Sequence, residues 1–381
     1  VGIPFLGMMG LGAAIGVGLA VAISVTLIPA LLGLFGKRLI PKTTSRAFRR
    51  EADTDKVTFG ARWVKLVTAK PLVTVLITIF GLLTLASPLT SMRLTLTDAG
   101  YDAPGSITRT GYDTLAEGWG AGTNGPLLIV ADISQTKVED LETVLNDLGG
   151  YFTGLPDVRS VSAAYPNPTL DLAIVSITPD SGPSSRRTVD LVNALREKAL
   201  AFEQEYGFTY EVTGGTAMGV DLSNLLADAI LPFGLVVIGL SVLLLMIVFR
   251  SIAVPLSATL GYVLSLSAAL GVTVAVFQWG WGAQFLAVTK VGPLFCAMPI
   301  LVMAVLFGLA MDYEVFLVSR IRERFVATGD PKLAVTSGFT KAARVVTAAS
   351  IIMFSVFIFF VPGSVASMQS IALDLAVRVA L

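Results

Sequence analysis

Leu306-Phe307-Gly308-Leu309-Ala310-Met311-Asp312-Tyr313-Glu314-Val315-Phe316-Leu317 sets an acid, a phenol and a second acid side by side, in a stretch otherwise apolar enough for membrane core. A carboxylate at hydrocarbon depth costs several kcal/mol unless it faces a packed or watery interior, so an acid there is a functional candidate by default. Asp312 is therefore the leading candidate for an ion-coupling group. In a helix it shares a face with the small residue Gly308, which leaves room for a neighbouring helix or water to reach the carboxyl. Tyr313 can donate or accept a hydrogen bond and so orient the acid or a bridging water. Glu314 points about 200° around the helix from Asp312, which suits a structural or interfacial partner.

Working outward, 54% of the 381 residues are hydrophobic and 14% are charged, and several apolar runs are long enough to cross a bilayer. The 27 basic and 27 acidic side chains cancel, so net charge points to no partner. They are sorted by region instead. Residues 1–36 hold a first apolar span. Residues 37–70 carry Lys37, Arg38, Lys42, Arg46, Arg49, Arg50, Lys56, Arg62, Lys65 and Lys70 against Glu51, Asp53 and Asp55, which makes them a cytoplasmic linker by the positive-inside rule. A second span lies within 71–92. Residues 93–229 are polar and acidic, and fall on the opposite, extracytoplasmic side. Residues 230–381 contain four apolar segments, near Ile230–Phe249, Ile252–Phe277, Pro293–Val318 and Val345–Val361, and the start of a fifth near Met368. Arg250 and the cluster Arg320, Arg322, Arg324, Lys332, Lys341 and Arg344 then both land on the cytoplasmic face, so the topology closes.

The polar insert carries its own pattern of alternation and helical periodicity. Strands are predicted at Pro126–Ile133, Val158–Ala164, Leu170–Thr178 and Phe208–Thr213, with helices at Val138–Phe152 and Ser185–Tyr206. That order is the split βαβ arrangement. The predicted fold class is an α-helical polytopic membrane protein with an inserted α+β, ferredoxin-like (βαββαβ) extracytoplasmic domain. Gly118-Trp119-Gly120-Ala121-Gly122 precedes a strand and lacks the closing Lys-Ser/Thr, so it reads as a turn and not as a phosphate loop.

With Cys296 as the single cysteine there is no intrachain disulfide and no cysteine-based metal site. The absence of histidine excludes a zinc site, a Ser-His-Asp triad and a histidine proton relay within the chain. Nothing points to an enzyme, a metal or a cofactor, and the acidic insert would repel nucleic acid. The first span has neither a basic n-region nor the short apolar core of a signal peptide. Met8–Val21 can be laid over Met368–Leu381, as two duplicated halves would predict.

Other polar residues have competing readings. Ser319 and Arg320 stand at the cytoplasmic edge, where a basic residue usually anchors a helix. Asp374 and Arg378 form an i,i+4 pair inside the last segment, either a local helix-stabilising pair or part of the Asp312 network. Phe233, Tyr262 and Phe285 suit a substrate route or ordinary packing. Lys290 suits an anionic head group or a snorkelling interface position.

The run FGLAMDYEVFLVSRIRERF, Phe307–Phe325, closely resembles the signature of the MMPL (mycobacterial membrane protein large) transporters of the resistance-nodulation-division superfamily. TLIPALLGLFGK, the KPL before the second span, GPLLIV and TAASIIMF extend the resemblance over nearly the whole chain. It implies proton-motive-force-driven export of lipids or other hydrophobic or amphiphilic molecules across the bacterial cytoplasmic membrane. It also implies twelve spans, two ferredoxin-like porter domains and an Asp-Tyr pair in each half. Asp312 and Tyr313 match the second pair. The chain would hold the sixth to eleventh spans, the second porter domain and the start of the twelfth, and its partners would be the substrate, protons, the bilayer and a missing N-terminal half. The acid and arginine that the family usually carries on the last span would lie beyond Leu381. A sterol-sensing or receptor-like member, or one assisting protein translocation, would share this architecture without depending on Asp312.

Overall fold

The computed structural model describes residues 4–39, 59–362 and 365–381. Much of the basic linker lies outside them, as does the side chain of Asp312. Six helices are long and apolar enough to cross a membrane among the described residues: Gly7–Gly36, Pro71–Ser91, Gly215–Phe249, Ala253–Phe277, Met298–Thr328 and Ala342–Phe359. Outside Ala253–Phe277 their apolar side chains are largely exposed, as expected where lipid is the solvent. The chain is a multi-pass membrane protein.

It divides into two units, one of residues 1–71 with 320–344 and the other of residues 72–319 with 345–381. The first contains α1 (Pro4–Leu39) and α2 (Phe59–Ala69). It also holds the turn between α9 (Met298–Thr328) and α10 (Pro331–Phe359). Gly329 takes a left-handed φ of 69°, and Asp330 Oδ1 then accepts from the amides of Lys332 and Leu333, capping α10.

The second unit holds the insert and most of the spans. After α3 (Pro71–Ala86) come β1 (Leu94–Thr95) and α4 (Ile107–Trp119), which is capped by Ser106 accepting from the Arg109 amide. Neither β1 nor α4 is among the elements predicted from the sequence. The sheet then follows the expected order: β2 (Leu127–Asp132), α5 (Leu141–Tyr151), β3 (Val158–Val161), the two-residue β4 (Tyr165–Pro166), β5 (Leu172–Pro179), α6 (Arg186–Tyr206) and β6 (Tyr210–Thr213). Strand order is β3-β5-β2-β6, every neighbour antiparallel, with Ile129 opposite Val175 and Val212. Period-2 alternation puts Leu127, Ile129, Ala131, Ala173, Val175 and Ile177 on one fully buried face. That face packs on Leu148 of α5, on Phe152 just after it, and on Leu191, Leu195 and Phe202 of α6. Tyr210 is buried with them and donates to the Leu195 carbonyl at 2.6 Å.

From β6 the chain enters α7 (Gly215–Phe249), which begins inside the insert and continues as an apolar span without a break. α8 (Ala253–Phe277) is the most enclosed of the spans. A Cβ on its Gly271 would come within 2.1 Å of the Leu85 carbonyl oxygen, so only glycine lets the end of α3 cross so closely. α8 packs with α9 and with α11 (Ala366–Ala380) around Leu270, Val274, Met298, Val302, Leu306 and Leu373. Between α8 and α9 lies β7 (Leu294–Phe295), paired parallel to β1.

Candidate functional site

The Asp312-Tyr313-Glu314 run sits mid-helix in α9. Met311, Val315 and Val318 of that helix pack against Leu245, Phe249 and Ala258 of α7 and α8, and the Ser241 hydroxyl of α7 lies 3.3 Å from the Met311 sulfur. Tyr313 is half-buried and its hydroxyl approaches Met353 Sδ of α10 at 3.1 Å, a weak acceptor that a stronger one could displace. Glu314 is half-buried. Gly308 is exposed, and a Cβ there would meet nothing within 4 Å, so this face of the helix is open. Ser319 is exposed, and Arg320 pairs along its own helix with Glu323 at 2.9 Å.

A second polar group lies one helix over. Asp374 is fully buried on α11 and Arg378, one turn on, is 9% exposed, amid the apolar contacts of α8, α9 and α11. Thr273 of α8 donates to Asp374 Oδ1 at 3.2 Å. The Arg378 guanidinium lies 4.2 Å from the Tyr262 ring centroid, and the Tyr262 hydroxyl donates to the Met303 carbonyl of α9 at 2.9 Å. Asp374 Oδ2 and Arg378 Nη1 have no hydrogen-bond partner among the described residues. The two side chains lie one turn apart on α11 with opposite formal charge, and their printed contacts go to Thr273 and to the Tyr262 ring. The free carboxyl oxygen can still accept, and the free guanidinium nitrogen can still donate, a hydrogen bond to a further polar partner. Neither Tyr313 nor Glu314 hydrogen-bonds to this pair among the described residues, while α8, α9 and α11, which carry the two groups, pack together.

Of the route candidates, Phe233 and Tyr262 are packed in the helical core, whereas Phe285 is 95% exposed. Lys290 does not snorkel. Its amine sits 4.1 Å over the Tyr101 ring, 5.4 Å from the Tyr112 ring and 3.9 Å from Asp98 Oδ1. Burial pushes this amine below the ordinary lysine value, and Asp98 pulls it partly back. Burial likewise pushes the Tyr112 phenol well up, with Asp98 adding to the rise, so it stays neutral over the physiological range. Thr273 was not singled out from the sequence: a threonine in an apolar helix ordinarily bonds its own helix, and this one does also donate to the Ala269 carbonyl.

Compared with known protein families, residues 1–88 and 153–381 match the MMPL family. The chain belongs to the MMPL family. This MMPL chain is 39% identical over 376 residues to the membrane protein YdfJ of Bacillus subtilis, covering 99% of the chain and 50% of that relative. It is 31% identical over 385 residues to the mycolic acid-containing lipids exporter MmpL11 of Mycolicibacterium smegmatis, covering 99% of the chain and 40% of that protein. The heme uptake protein MmpL11 of Mycobacterium tuberculosis is likewise 31% identical over 385 residues, with 99% and 39% covered. The chain thus spans about half or less of the length of these curated relatives.

Proposed function

We propose that this MMPL chain is half of a proton-driven transporter that exports lipids or other amphiphilic molecules, without an enzymatic step. The observation that carries the reading is the intramembrane acid-phenol pair, Asp312-Tyr313, at mid-helix in a multi-pass MMPL chain. Asp312 is the proton carrier and Tyr313 the group that orients it, while Glu314, Ser319 and Arg320 line the same helix. Asp374 and Arg378 form a second charged centre that responds to the first. Support for a lipid cargo comes from the relative named as an exporter of mycolic acid-containing lipids; another relative is named for heme uptake, which keeps the cargo class broad. The order βαββαβ with strand order β3-β5-β2-β6 supports a ferredoxin-like porter domain at residues 93–229, on the extracytoplasmic side that the charge sorting favours. The open face of α9 at Gly308 is suited to packing by the other half of the transporter.

Asp312→Asn in the complete protein is the test. Asn preserves shape and hydrogen bonding but exchanges no proton in this range. Transport driven by an imposed pH gradient in proteoliposomes should be lost while expression and membrane insertion stay near normal. Full gradient-driven transport by the Asn variant would remove Asp312 from the mechanism. Tyr313→Phe should weaken transport more mildly, because water can bridge in place of the phenol.

A further inference from the structure

Residues 278–297, between α8 and α9, form a connection of a length that compact folds rarely use without a purpose. It is not a slack loop. It folds back on α8 through Trp281 donating to the Ala275 carbonyl at 2.9 Å and Gly292 to the Phe277 carbonyl at 2.8 Å. Ala287 holds a left-handed φ of 50°, a conformation that a non-glycine residue keeps only where its surroundings enforce it.

Those surroundings come from two other parts of the chain. The first is Gln369, in the first turn of α11 and fully buried. Its side-chain oxygen accepts from the Thr289 amide at 3.2 Å and the Thr289 hydroxyl at 3.3 Å, and its nitrogen donates to the Ala287 carbonyl at 3.1 Å. The second is the strap at residues 92–101, which leads from α3 into the insert. Gln278 and Arg93 exchange two hydrogen bonds, Arg93 amide to Gln278 Oε1 at 3.2 Å and Gln278 Nε2 to the Arg93 carbonyl at 2.9 Å. The amides of Leu294 and Cys296 then donate to the carbonyls of Arg93 and Thr95, each at 2.9 Å, and Lys290 closes the contact over Tyr101 beside Asp98.

We propose that the 278–297 connection is a coupling element, which locks α8, the start of α9, the start of α11 and the 92–101 strap into one body, so that a displacement of the charge-bearing helices reaches the first elements of the insert directly. Gln369 and Lys290 are its positioning residues. Gln369, which holds the middle of the element, stands five residues ahead of Asp374, and the end of the element continues into the helix that carries Asp312. What the coupling serves rests on the transport reading; that the parts move together does not.

Hydrogen exchange on the complete purified protein tests it, because coupling between two sites is reciprocal. Gln369→Ala should speed exchange about tenfold or more in peptides covering 92–97 and 292–296, well away from the substitution. Lys290→Met, from the opposite end, should speed exchange by a similar factor at 366–372. In a Cys296→Ala background, a disulfide between Leu94→Cys and Leu294→Cys, which are Cα partners in the ladder, should restore slow exchange at 92–97 in the Gln369→Ala protein. Changes confined to 285–291, or passing in one direction only, would overturn the proposal. Reciprocal exchange in a protein whose Asp312→Asn variant still transports would leave the coupling element standing and remove Asp312 alone from the transport reading.

Discussion

Asp374 and Arg378 are opposite charges buried one turn apart on α11. Removing one partner strands the other charge in an apolar interior, a change that typically costs about 3–5 kcal/mol. Arg378→Met should therefore lower the thermal unfolding midpoint in detergent sharply, and adding Asp374→Asn should recover most of the loss. Additive losses in the double variant would show that the two charges do not stabilise each other. Gly122 makes a different prediction. A Cβ there would sit 1.8 Å from the Pro179 carbonyl oxygen, so Gly122→Ala must push apart the end of β5 and the turn before β2, and should cost at least as much as an overpacked core site, about 1–3 kcal/mol. That constraint is the physical content of the glycine-rich run, whose reading as a turn agrees with Gly120 at a φ of 93° and a short helical turn at Ala121–Asn124. Asp312 could be picked out from the sequence because an acid in an apolar run breaks the composition of its own neighbourhood. Thr273 and Gln369 could not, because their roles depend on a carboxylate and a loop far away in the chain.

At the scale of elements, strands and helices whose apolar periodicity is set by one buried face were legible to within a few residues: β2, β5 and α6 lie close to their predicted ranges. What escaped were elements with little apolar signal of their own. α4 buries no residue fully, and β1 and β7 are two residues each and exist only because they pair across the chain. The small loop before β5 has an electrostatic signature that can be checked. Thr169 donates to Asp171 Oδ1 at 2.7 Å and Asn167 donates to the same oxygen, which holds this carboxyl below the usual aspartate value. A carboxyl with a lowered folded value contributes stability that is present above about pH 3.9 and is lost as pH falls through the lower folded value. The group is fully exposed, so screening keeps the effect on global stability small. Its titration, followed by carboxyl carbon chemical shift, should have a midpoint below that of a model aspartate. A midpoint at or above the model value would mean that the loop does not hold its hydrogen bonds in solution.

For the whole molecule the decisive question is which side of the membrane the insert occupies, and the physical basis of the answer is the charge asymmetry of the segments joining the spans. Ten lysines and arginines against three acids in residues 37–70, with Arg250 after α7 and the group from Arg320 to Arg344 at the end of α9 and beyond, assign those segments to the cytoplasmic side by the positive-inside rule. An odd number of crossings between the linker and the insert then puts the insert outside, where α3 delivers it and α7 takes the chain back. Single cysteines read this directly once the buried Cys296 is replaced by Ala. Ser106→Cys, at the cap of α4, and Ser184→Cys, just before α6, should react in intact cells with a thiol reagent that cannot cross the membrane. Ser45→Cys, in the basic linker and beyond the described residues, should react only after the cells are opened. Labelling of position 45 from outside, with positions 106 and 184 protected, would invert the topology. The insert would then face the cytoplasm, and export across the membrane would lose its extracytoplasmic domain.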